Sequence, residues 1–272
     1  MANLFYKYVV KSNLFIAVCA CCFYMTGLFL IDNTAEWPPF DLLAVIFLST
    51  FLIYTVSQKP FSFSEFSVKI WVKRRWALII AGLLIVYFSL HLSPGELSVF
   101  LVLGLVSFLY NSLPFKNTIM IPLRGVPLLK VFLIAFVWTG VGMILPALHT
   151  GFTISIPLIL LAISQFFFIL AITLPFDIRD FYKDFRNNLT TVPSAIGIKN
   201  TKLLAYFFLV LHAFGILFYH LPLAVFYLPF LIIVFLFIKN SNASRPNYHY
   251  VFLIDGLIIL QFVVIDLFFN RF

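Results

Sequence analysis

Three carboxylates, Asp177, Asp180 and Asp184, stand within eight residues in DIRDFYKDFRNN, the most polar dozen residues of a chain that is 63% hydrophobic. On a helix, at about 100° per residue, the three acids share an arc of roughly 60°. Arg179, Lys183 and Arg186 fall on the opposite side. Like charges on one helix face repel by about 0.2–0.5 kcal/mol per pair. If the stretch extends the preceding apolar helix, the macrodipole makes acids at its C-terminus less favourable still. A solvated loop tolerates this arrangement; a bound cation offsets it. An all-oxygen set that retains water suits Mg²⁺ carrying a phosphate-bearing substrate.

The elements that position these acids follow from composition. A mean hydropathy of +1.08 with only 10% charged residues excludes an ordinary soluble domain and predicts an all-α polytopic membrane bundle. Nine spans are expected, near 14–31, 40–56, 76–93, 97–113, 128–147, 154–175, 203–219, 222–238 and 249–268. Most approach the roughly 17–25 residues that cross a hydrocarbon core. With the N-terminus inside, 17 of the 18 basic residues fall on inside segments and only Arg271 does not. Asp32, Glu36, Asp41 and Glu96 fall outside. That pattern predicts N-in, C-out topology, in a cell (inner) membrane with the acidic stretch on the cytoplasmic face. The net charge of +8 is then a topology signal with some attraction to membrane lipids. The single continuous basic patch expected of a nucleic-acid binder is missing.

Other chemistry is sparse. No Gly-rich phosphate loop, zinc-type Cys/His spacing or Ser-His-Asp arrangement occurs. Cys19, Cys21 and Cys22 lie inside the first span and read as small buried or lipid-facing side chains. A retained first helix is expected there rather than a cleaved signal, since the apolar run continues to Ile31. The five histidines are scattered, mostly at outer helix ends, and read as interfacial. Asp255, in FLIDGLIILQF, is the most deeply placed acid. It is either functional or hydrogen-bonded to a neighbouring helix that Gly256 lets approach. Among the inside segments, 57–75 and 176–202 are much the longest and are expected to cap a shared central cavity.

The segment DIRDFYKDFRNNLTTVPSAIG resembles the second aspartate-rich motif of the UbiA-type intramembrane prenyltransferases, D-x-x-D-x-x-x-D followed by G-x-x-T-L-P and a further Gly. Asp177, Asp180 and Asp184 match the acids, Thr191, Val192 and Pro193 stand at T-L-P, and Gly197 follows. Asn188 takes the first Gly position. Upstream, FLYNSLPFKN and LRGVPLLKVFLIAFVW resemble the family's Tyr-Ser-x-x-Pro segment and the basic loop behind it. The first motif departs from the pattern. Where the family has approximately N-x-x-x-D-x-x-x-D, this chain has Thr55, Lys59 and Phe63, and Glu65 is the only acid in that loop.

The resemblance implies a single transmembrane domain over residues 1–272 that transfers a prenyl group from a polyprenyl diphosphate to an aromatic or other lipophilic acceptor. Asp177, Asp180 and Asp184 would be its catalytic and Mg²⁺-holding residues, and Lys59, Lys116 and Arg124 its diphosphate contacts. The degenerate first motif keeps a second reading open, a non-catalytic relative that binds an isoprenoid or quinone. A small-solute transporter would need paired broken helices with polar groups at the midplane, and apart from Asp255 the spans offer little of that.

Overall fold

The structure is a computed structural model describing residues 13–34, 36–57, 68–111, 129–153, 155–186 and 190–271. These residues form nine helical rods and no strand: α1 Leu14–Ile31, α2 Phe40–Ser57, α3 Val68–Ser89, α4 Pro94–Asn111, α5 Leu129–His149, α6 Ile156–Arg186, α7 Val192–Tyr219, α8 Leu221–Lys239, and α9 from His249 to Arg271. Seven are long and apolar enough to cross a membrane, while α3 and α4 contain the shorter apolar stretches Trp76–Ser89 and Pro94–Phe108. Large side chains such as Leu83, Leu101, Ile156 and Phe218 face outward on the rods. In a soluble protein this would be a liability; here it is the lipid-facing surface of an integral, multi-pass membrane protein.

Backbones approach closely where side chains are small. A Cβ added to Gly27 of α1 would lie 1.5 Å from the Gly142 carbonyl oxygen of α5. Gly142 itself sits in a π-helical turn, Gly140–Ile144. Likewise, a Cβ at Gly215 of α7 would meet Ser164 Cβ of α6 at 2.4 Å. Lipid is as apolar as leucine, so tight packing and buried polar contacts, more than burial of oily surface, hold such rods together. One polar network ties four of them. His212 of α7 meets Ser164 of α6 at 3.0 Å and the Tyr227 hydroxyl of α8 at 3.2 Å. Gln261 Nε2 of α9 donates to Tyr227 Oη at 2.7 Å and to Gln165 Oε1 of α6 at 2.9 Å. His212 is therefore fully buried, which corrects its reading as an interfacial residue.

The longest rod decides the architecture of the acidic stretch. α6 runs for 31 residues, about 46 Å, whereas about 20 residues suffice to span the hydrocarbon. It passes Pro175, which cannot donate to the Ala171 carbonyl, and continues through all three acids. Much of the segment expected as a long connection is thus helical, with α7 starting at Val192. The Thr191 N–H donates to Ser194 Oγ at 2.7 Å, half of a capping box. Five residues into α7, Gly197 takes φ +80°, a left-handed conformation that favours glycine.

Candidate functional site

A cavity of about 560 Å³ opens between α1, α2, α4, α5, α6 and α9. Ile169 and Ile172 line it on α6, and so do Asp177, Asp180 and Lys183 further along. From Ile169 to Asp180 is about 16 Å along the helix, so one wall grades from oily to charged. Trp138, Val141 and Ile258 continue the apolar part, and Asn13, Tyr54, Ser57 and Lys130 line other stretches of the wall. Ser57, the last residue of α2, and Asp180, near the end of α6, border the same cavity.

Each acid has a different setting. Asp177 is 1% exposed, and Lys130, in the first turn of α5, donates to its Oδ1 at 2.5 Å. Asp180 is clasped side-on by its neighbour Arg179, Nε to Oδ1 at 3.0 Å and Nη2 to Oδ2 at 2.7 Å. The same guanidinium donates to Asn247 Oδ1 at 3.0 Å and lies over the rings of Phe176 and Tyr250. Asp184, one turn on, is buried and does not line the cavity. Helical spacing does place the acids along one side. The expected segregation of cations to the far side does not hold, because Arg179 and Lys183 border the cavity too. A long guanidinium stem can wrap around a helix toward a carboxylate, which a wheel of Cα positions cannot express.

Lys59, Lys116, Arg124 and Phe63 lie outside the described residues. Of the positions aligned with the first motif, Thr55 is described: its Oγ1 accepts a hydrogen bond from Asn13 Nδ2 at 3.2 Å. Lys130 was missed as a site residue. A lysine at the start of an apolar span reads as a topology signal, and nothing local says that it faces Asp177. Asn247 and Tyr250, which hold Arg179, carried no signal beyond their proximity to the ninth span.

The donor set bears on the implied metal. Among the described residues, no three His, Cys, Asp or Glu side chains assemble into a metal cage. Mg²⁺ seldom needs one; it is commonly bound by one or two carboxylates together with substrate phosphates and water. Two carboxylates bordering a cavity fit that mode.

No protein-family model matches this sequence, and no curated protein does. Solved structures do match. A UbiA homologue from Archaeoglobus fulgidus superposes with a TM-score of 0.66 at 14% identity, over 96% of this chain and 99% of that one. A UbiA homologue from the same organism bound to GPP and Mg²⁺ matches with a TM-score of 0.64 at 15% identity, over 96% and 99%. A digeranylgeranylglyceryl phosphate synthase matches with a TM-score of 0.55 at 16% identity, over 97% and 98%. Fold and cavity define the class as a polytopic helical membrane protein. Its fold is the UbiA-type fold over nearly its whole length, in agreement with the resemblance carried by Asp177–Gly197.

Proposed function

We propose that this chain is a UbiA-like prenyltransferase acting on a polyprenyl diphosphate and a lipophilic acceptor within the membrane. The observation that carries the reading is one cavity whose α6 wall runs from Ile169 and Ile172 to Asp177 and Asp180. An isoprenoid diphosphate has the same gradient from oil to charge. The diphosphate sits at the Asp177–Asp180 end, with Lys130, Arg179 and Lys183 as the described cations there and Lys59, Lys116 and Arg124 as further contacts. The segments 57–75 and 176–202 cap this end, which faces the cytoplasm in a cell (inner) membrane.

Asp177 and Asp180 are the proposed Mg²⁺-holding and catalytic residues, and Asp184, buried one turn beyond the cavity wall, is the third acid of the proposed set. When bound, the cation supplies charge that stabilises departing pyrophosphate. The protein's own cations add to this stabilisation at fixed positions. The bond between the allylic carbon and the diphosphate oxygen breaks, and its electron pair leaves with pyrophosphate. Aromatic and aliphatic walls exclude water from the allylic cation, and the acceptor's nucleophilic atom captures that carbon and gives up its proton to the departing pyrophosphate.

The test is a thermal-shift series in detergent, with Mg²⁺ and geranyl diphosphate added separately and together. Ligand binding to the native state raises the melting temperature. The combination should stabilise the wild type, and Asp180→Asn should respond much less. Equal shifts in both proteins, or none in either, would overturn the reading. Thr55, Lys59 and Phe63 at the first-motif positions favour one competing reading, a non-catalytic isoprenoid or quinone binder. Binding without release of pyrophosphate selects it.

A further inference from the structure

Asp255 lines the same cavity, and the mechanism above does not use it. It is the first residue after a π-helical turn, His249–Ile254. Such a turn adds a residue to the helix and re-aims everything beyond it. Val251, Asp255 and Ile258 thereby share the cavity-facing side of α9. Asp255 lies about 9 Å along α9 from His249, with apolar Val251 and Ile258 before and after it.

Among the described residues, the surroundings of Asp255 offer its carboxylate no hydrogen-bond or ion-pair partner. From α1, Cys19 Sγ donates to the Asp255 main-chain carbonyl at 3.4 Å, not to the side chain. Phe15 of α1 packs its ring 5.1 Å from Phe252 and borders Gly256. From α6, the Arg179 guanidinium acts on Asp255 only through space, its donors being spent on Asp180 and Asn247. Among the described residues the Asp255 side chain makes no hydrogen bond or ion pair. A carboxyl group at membrane depth without a partner is costly, and a hydrogen-bond donor inside the cavity removes that cost.

We propose that Asp255 is the specificity-determining residue for the acceptor, and that the acceptor is a neutral lipophilic alcohol or phenol whose hydroxyl donates to it. The inference rests on the proposed function and adds the acceptor's chemical class. Isoprenoid and acceptor then occupy different walls of one cavity: the diphosphate on the α5–α6 side and the acceptor's hydroxyl on α9.

Binding decides this without turnover. The probes are geranylhydroquinone and its dimethyl ether, titrated by calorimetry into the full-length protein in lipid nanodiscs. The wild type should prefer the hydroquinone over the ether by roughly three- to tenfold, the scale of one hydrogen bond. Asp255→Ala should lose that preference. Asp255→Asn keeps an acceptor oxygen and should retain the preference, a rescue by the conservative variant that a merely structural role would not produce. The melting temperature of each ligand-free variant reports folding, and Asp255→Asn carries the test if Asp255→Ala fails to fold. Equal affinities for hydroquinone and ether in the wild type would overturn the proposal. So would loss of the preference in Asp255→Asn, or its survival in Asp255→Ala. Failure of the proposed function shows separately, as a missing geranyl diphosphate shift in the wild type.

Discussion

Lys130 of α5 and Asp177 of α6, 47 residues apart, form an ion pair of 2.5 Å in which the acid's side chain is 2% exposed and the lysine's 15%. The pair joins α5 to the long helix at the level where the cavity turns from apolar to charged. It also offsets a carboxylate placed against the macrodipole of α6.

Removing one member of such a pair strands the other. Lys130→Met should destabilise the protein by about 3–5 kcal/mol, the usual cost of an uncompensated buried charge. The double variant Lys130→Met/Asp177→Asn should recover most of that loss. Chemical unfolding of the single and double variants checks this as a cycle. A double variant as unstable as the single one would deny the coupling.

Arg179 is bidentate to Asp180 and lies over the faces of two rings at once. A lysine keeps the charge and loses both the fork and the planar stacking. On the proposed function, Arg179→Lys should weaken the Mg²⁺-plus-geranyl diphosphate thermal shift nearly as much as Arg179→Ala. Full retention by the lysine variant would mean that charge alone matters there.

Gly27 and Gly82 are both helical glycines with opposite surroundings. Gly27→Ala drives a methyl into the Gly142 carbonyl, whereas Gly82→Ala meets nothing within 4 Å. Overpacking at Gly27 should cost about 1–3 kcal/mol. Gly82→Ala should be neutral or stabilise by up to about 1 kcal/mol, since glycine is a poor helix former. In the same detergent the melting temperature should fall for Gly27→Ala and hold or rise for Gly82→Ala.

Tyr227→Phe keeps the ring, tilted against Phe230 at 4.7 Å, and removes the hydroxyl that Gln261 and His212 share. Hydrogen bonds between membrane helices are worth about 0.6 kcal/mol on average and up to about 1.7. The loss should fall in that range, measurable by unfolding in mixed micelles. A neutral result would show that the network rearranges around the missing group.

Orientation is open to labelling. With the three cysteines replaced, Ser244→Cys, at the exposed turn between α8 and α9, should react with an impermeant thiol reagent only from the cytoplasmic side. Trp37→Cys, at a 70% exposed position between α1 and α2, should react only from the other side. Reversed labelling would invert the proposed topology.

Composition and run length determined the class of this protein, because a bilayer accepts only helices or closed barrels and demands about 20 apolar residues per helical crossing. The rods fall where the apolar runs do. The Asp177–Asp180–Asp184 spacing, with the TVP and Gly that follow, pointed to the UbiA-type fold before any coordinates. The sequence could not say that α6 would stay helical to Arg186 through Pro175, since propensity alone breaks a helix near proline and tertiary packing overrides it. Nor could it choose partners. That Asp177 takes Lys130, that Asp184 turns off the cavity, that His212 is buried among four helices and that Asp255 faces an open space all depend on which rods become neighbours and how each is rotated. Those choices arise from small-residue contacts such as Gly27–Gly142 and from the π-turn before Asp255. Both are long-range or register effects, and neither has a local signature in the chain.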